Sequence, residues 1–388
     1  MGVTMALVNA ILPTVARRGG LEPLGLSALA AAPFVANLLG AFAGRFGPRS
    51  TLQLTLTRGI GSASLLLLFF VASPPVMVAV AVIFWLSLSF GGPFHLRLWG
   101  AMYPPRLRGR VVGVLGMGRA AAGALAAFGG GVLADRIGGE RAVALAGVVG
   151  MVCAIGYVGL RAAAAERPAP FSAFESIHAL RRRPLLGRIA LAQGFYGGGF
   201  IAAAPLFALV HVDRLHLSLS DVGVIGILGA VATTVAFPIW GVVADRSGPL
   251  TSLRVGSAIG LAALVGYAVA PSVGVLWLAA VAAGTASASI DVGIAAVVSD
   301  ETPLAARAAA MAGWNALTGA RGIGAAFTMT TLLQLGLVDV RAGLLLCAAI
   351  SSAGVLLFAR AGRATEDSAA TTAIGVTAGV EAPSIALA

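Results

Sequence analysis

Gly241-Val-Val-Ala-Asp245-Arg246-Ser-Gly248 breaks two long apolar runs with a Gly-x-x-x-Asp-Arg-x-Gly turn. Half a chain earlier, Gly40-Ala-Phe-Ala-Gly44-Arg45-Phe-Gly47 repeats the pattern, with Gly44 where the acid would stand. A turn that recurs between apolar runs at this spacing predicts an internally duplicated chain of helices. Pro105 pairs with Pro303, and Cys153 with Cys347, at nearly the same separation.

Composition decides what surrounds these helices. The 388 residues are 59% hydrophobic and only 11% charged, with a mean hydropathy of +0.95. A soluble domain is about one quarter charged, so the chain belongs in a bilayer. The net charge of +11 comes wholly from arginine. Those arginines sit mostly in short breaks between apolar runs, which excludes a nucleic-acid partner and fits the rule that cationic residues stay on the cytoplasmic side. Cys153 and Cys347 each fall in an apolar run and offer no zinc spacing or disulfide framework. No metal or cofactor is expected.

A helix needs about 20 residues to cross the hydrocarbon. Twelve runs qualify, at roughly 2–16, 24–43, 50–72, 75–101, 108–133, 142–161, 187–210, 221–243, 252–270, 273–298, 307–333 and 341–360. Such continuous apolar runs predict helices rather than barrel strands. The first is short: about 15 residues at 1.5 Å each fall below a core of about 30 Å. We expect a truncated first helix and a natural start upstream.

Alternate breaks differ sharply in arginine. Those after spans two, four, six, eight and ten, with the C-terminal end, carry most of them, including Arg45, Arg49, Arg106, Arg108, Arg110 and Arg307; the opposite breaks hold only Arg17, Arg18, Arg136, Arg141, Arg214 and Arg341. Both termini are therefore expected in the cytoplasm, in a multi-pass protein of the cytoplasmic membrane. The organisation expected is a six-helix bundle over 1–161, a cytoplasmic linker over 162–186, a second bundle over 187–362, and a disordered tail over 363–388. Two parallel repeats of six put a substrate site at their interface near mid-membrane.

With these motifs in place the chain resembles the major facilitator superfamily over nearly its whole length. That family's loop signature between spans eight and nine is matched by Gly241, Asp245, Arg246 and Gly248, with Pro249 and Leu250 in place of the basic pair. The copy between spans two and three keeps Gly40, Arg45, Gly47 and Arg49 without the acid. Gly131-Val-Leu-Ala-Asp135-Arg136-Ile-Gly138 falls after span five, where family members carry a similar string. The break Pro104-Pro105-Arg106-Leu-Arg108-Gly109-Arg110 is similar to the family's loop between spans four and five. The family's antiporter signature in span five is degraded: Gly130 and Gly131 hold its end, while Ala126 and Ala127 stand at its Gly-Pro positions. The resemblance implies a monomeric all-α membrane protein, two pseudo-symmetric six-helix bundles that move a small molecule by alternating access. It also implies that Asp245 meets Arg108 or Arg110 when the cytoplasmic side closes.

Ionisable groups in mid-span are expensive and mark function by default. Asp291 is the one acid well inside an apolar run, so it is the candidate proton carrier. Arg321 in span eleven is its expected partner, either as a coupling site or as a static pair that fixes packing. Arg119 in span five has no acid in its own half between Glu22 and Asp135. It is satisfied by carbonyls, by water, by Asp291 across the cavity or by an anionic substrate. His95, beside the Gly91-Gly92-Pro93 kink, is either a proton shuttle or a hydrogen-bonded structural residue. Asn37, Gln193, Tyr196 and Asn315 either line the cavity or bond between helices.

These residues point to a proton-coupled secondary transporter of a small organic solute, with membrane lipid and the proton as its other partners. Efflux is slightly favoured over uptake. The alternatives are an uptake carrier or uniporter of an organic anion, and a non-transporting sensor or scaffold with the same fold. An enzyme is excluded by the lack of any nucleophile–base or metal-ligand cluster.

Overall fold

The computed structural model describes residues 2–40, 48, 50–102, 105–160 and 183–378. Twelve helices follow one another among them, one for each apolar run. The first six are α1 (Gly2–Ala6, a π turn at Leu7–Ile11, then Leu12–Arg18), α2 (Pro23–Gly40), α3 (Thr51–Ser64 with a 3-10 end at Leu65–Phe69), α4 (Pro74–Met102), α5 (Pro105–Ile137) and α6 (Gly139–Ile155). The second six are α7 (Pro184–Leu209 with a π turn at Val210–Arg214), α8 (Leu219–Ser247), α9 (Pro249–Val269), α10 (Val273–Glu301), α11 (Leu304–Gln334) and α12 (Val340–Ala378). Nine of these are long and apolar enough to cross a membrane by length and composition. Helix α12 runs on to Ala378, past the boundary drawn at 363 for a disordered tail.

The short turns between helices are set by backbone chemistry. The Asp135 and Asp245 strings end in the same way, on Gly138 at φ 95° and Gly248 at φ 82°. Side chains with a Cβ rarely adopt these angles, so each glycine lets its helix stop and the next begin within one residue.

Within each half, α8 packs on α10, α9 on α10 and α12, and α7 on α12, while α3 packs on α4 and α6. Between halves, α5 lies along α8 and α2 along α11. The α5–α8 approach is close because both sides lack side chains: a Cβ on Gly131 would collide with the Leu219 carbonyl oxygen, and one on Gly223 would sit 2.6 Å from that of Ala127. In a bilayer such contacts hold helices together through dispersion, since lipid tails are as apolar as the side chains they would replace.

Candidate functional site

The junction of the halves is sealed at the face that carries the arginine-poor turns. Arg17, at the end of α1, pairs with Asp213 of α7, Nη2 to Oδ2 at 2.7 Å. Arg18 donates to the Leu217 carbonyl. Asp135, at the end of α5, accepts the backbone N–H of Leu219 at 2.9 Å and of Ser220 at 2.8 Å, together with the Ser220 hydroxyl. It thereby caps α8 from the opposite half, where the free N–H groups and the helix dipole favour a carboxylate. Slightly deeper, the Ser27 hydroxyl of α2 lies 2.6 Å from that of Thr330 and donates to the Ala326 carbonyl at 2.7 Å.

Beneath this seal lies a cavity of about 460 Å³ between the halves, lined by α1, α2, α4, α7, α8 and Tyr267 of α9. Its wall is largely apolar, with polar groups from Asn9, Thr14, His211 and Tyr267. Thr14 Oγ1 lies 3.4 Å from His211 Nδ1, and Tyr267 Oη lies 3.3 Å from His211 Nε2, so a buried side-chain chain crosses from one half to the other. Asn9 and His211 both sit on π turns in the first helix of each half, midway along α1 and at the end of α7. Pro13 has no N–H for the Asn9 carbonyl four residues back, which is the local reason for the widened turn in α1.

A second cavity, of about 550 Å³, lies toward the arginine-rich face and shares Trp85 of α4 as a common wall. Asn37, Arg58, Ser89, Arg119 and Tyr157 supply its polar lining. Arg58 of α3 is 8% exposed, so it is held inside the half rather than reaching for the surface. Its Nε has no hydrogen-bond partner among the described residues.

The residues singled out in the sequence separate into groups. Arg119 and Asn37 line the second cavity. Tyr196 does not line either; it is 5% exposed and packs in the core of the second half, its ring centroid 5.4 Å from Phe200 and 6.3 Å from Phe358. Gln193 is buried one turn away. The expected Asp291–Arg321 ion pair is not formed: Arg321 Nη1 donates to the Gln193 carbonyl at 2.6 Å. The physical reason is that α10 packs on α8 and α9 whereas α11 packs on α2 and α7, so the two helices barely touch. Asp291 and Asn315 are exposed, on α10 and α11. Asp245 and Arg246 are exposed at the arginine-rich end of α8, Gly241 lies one turn earlier, and Gly40 ends α2 against Ser89. Arg45, Gly47 and Arg49 lie outside the described residues, as do the side chains of His95, Arg108 and Arg110.

Two groups escaped the sequence reading. Arg58 is a second arginine in mid-run, in a half without an internal acid, and the argument applied to Arg119 holds for it too. His211 carries no local pattern that reveals Thr14 and Tyr267 as neighbours, because they come from other helices.

Twelve helices in two bundles, joined at one face around a cavity, define a multi-pass membrane protein. A family model described as Major Facilitator Superfamily matches residues 189–382, half of the chain, and the chain belongs to that superfamily. Among solved structures it is similar to a nucleoside transporter NupG mutant, with a TM-score of 0.72 at 13% identity, covering 93% of this chain and 98% of that one. A bacterial homologue of the human lysosomal transporter Spinster, inward-facing and occupied, gives 0.66 at 15% identity, with 93% and 96% covered. The human organic anion transporter MFSD10 gives 0.61 at 15% identity, with 92% and 96% covered. No curated protein sequence gives a significant match.

Proposed function

We propose that this chain is a proton-coupled carrier of a small organic solute, working by alternating access as a monomer in the cytoplasmic membrane, with both termini cytoplasmic and export as its direction. The observation that carries this reading is the place of Asp291. It is the one carboxylate well inside an apolar run among the described residues. Along the exposed edge of α10, Trp277, Leu278 and Val281 at the arginine-poor end give way to Ser287, Asp291 and Ala295. An ionisable group facing acyl chains is costly, so this small, polar part of the edge belongs to the aqueous opening. There the carboxyl is within reach of protons from the arginine-rich side, and among the described residues no arginine is paired with it.

The test is solute flux in liposomes under an imposed pH gradient, with a panel of labelled compounds. The wild type should accumulate one of them against its gradient in the acidic compartment, as protons leave it. Asp291→Asn should lose that driven accumulation and keep solute exchange at equal pH. Undiminished driven transport in the variant would remove the proton role. Uptake into everted vesicles, acidic inside, against the absence of uptake in right-side-out ones, decides the direction.

A further inference from the structure

We propose that the cargo is an amphipathic organic anion, with its acidic group held by Arg58 and Arg119 and its apolar body lodged beyond Trp85. This deepens the transporter reading and rests on it. Both arginines line the cavity on the arginine-rich side. Neither has a carboxylate partner among the described residues, and the chain holds no acid between Glu22 and Asp135. Arg58 is more than nine-tenths buried and its Nε is unpartnered. Arg119 is exposed at the same cavity. Two like charges lining one cavity repel each other, and an anion between them turns that repulsion into two charge-assisted contacts.

The fold reserves room for this arrangement. A Cβ on Gly91 of α4 would lie 2.8 Å from Arg58 Nε and 3.0 Å from Leu54 Cδ1. The bare glycine is therefore what lets the guanidinium lie against α4. Asn37 and Ser89 add neutral hydrogen-bonding groups to the same wall. On the other side of Trp85 the lining turns apolar, with Leu29, Phe34, Phe207 and Ile225. A cationic and an apolar chamber, with Trp85 lining both, match a solute with a carboxylate, sulfonate or phosphate at one end and a ring or chain at the other. A small inorganic anion would leave the apolar chamber unused, and a neutral solute would leave the arginines unanswered.

The experiment measures binding of three probes to the purified, detergent-solubilised protein by quenching of tryptophan fluorescence: 2-naphthoate, the neutral 2-naphthylmethanol, and acetate. The expected result is that 2-naphthoate binds at least tenfold more tightly than either of the others. Arg58→Gln and Arg119→Gln should each bring naphthoate down to the level of naphthylmethanol, while Arg58→Lys should keep part of the preference. Thermal melting of each variant identifies those that fold, and only these are compared. Equal binding of acid and alcohol, a preference that survives both glutamine variants, or no binding of naphthoate overturns the proposal. Failure of pH-driven flux alongside an intact naphthoate preference removes proton coupling and leaves the cargo class standing, so the two readings fail separately.

Discussion

Tyr196 and Arg321 show how a polar residue in a membrane helix is spent. The Tyr196 ring fills the junction of α7 and α12 beside Phe358, where lipid tails cannot replace the contacts it makes. Tyr196→Ala should lower stability by about 3 kcal/mol through the cavity it leaves, read as a lower midpoint of thermal unfolding. Tyr196→Phe should transport as the wild type does, since the residue lies outside both cavities. A Tyr196→Phe protein that melts normally and has lost flux would return the phenol to the pathway. Arg321 is tied to the Gln193 carbonyl rather than to Asp291, so Arg321→Gln and Asp291→Asn should affect thermal stability additively. A coupling above about 0.5 kcal/mol between them would mean that the two side chains interact.

At the scale of the helix, the paired π turns at Leu7–Ile11 and Val210–Arg214 stand out because both carry cavity-lining polar residues. A π turn is one residue overfull, so it rotates the next turns of its helix and is held only where something compensates for it. Pro13→Ala supplies the missing N–H and should let α1 close into regular helix. We expect a gain of up to about 1 kcal/mol in stability with reduced transport, as Asn9 and Thr14 turn away from the cavity. Unchanged flux in a stabilised Pro13→Ala protein would deny the turn a role. The twelve helices themselves were legible in the sequence because a 20-residue apolar run is a property of composition. The π turns were not: Pro13 gives a local reason for the one in α1, but no proline follows the one in α7. Asp291 and Arg119 were legible as isolated charges, and so was Arg58 in principle. What could not be read was which charges share a space: Arg321 comes after Asp291 in the chain, yet the packing sends them to different neighbours.

Across the whole molecule the packing of α5 along α8 produces a reciprocal pair of acids. Helices α5 and α8 run antiparallel at the junction of the halves, each ending in an Asp-Arg-x-Gly turn, at Asp135 and Asp245. Asp135 caps the start of α8 at the arginine-poor face, and that face is shut. Asp245 projects from the far end of α8 toward the face where α5 begins, and it is exposed. By the same geometry Asp245 would cap the start of α5, beside Arg108 and Arg110, once the arginine-rich face closes. The copy at Gly40–Gly47 lacks the acid, so this closure would rest on Asp245 alone. Each exposed contact contributes about 1 kcal/mol, enough to shift a balanced two-state equilibrium about fivefold. Asp135→Asn should therefore populate the state open at the arginine-poor face, Asp245→Asn should deplete it, and the double variant should return near the wild-type ratio. Distances between spin labels placed at the two ends of α5 and α8 read the populations directly. If Asp245→Asn leaves them unmoved while Asp135→Asn shifts them, only one end of the carrier is latched, and closure of the other face must come from helix packing.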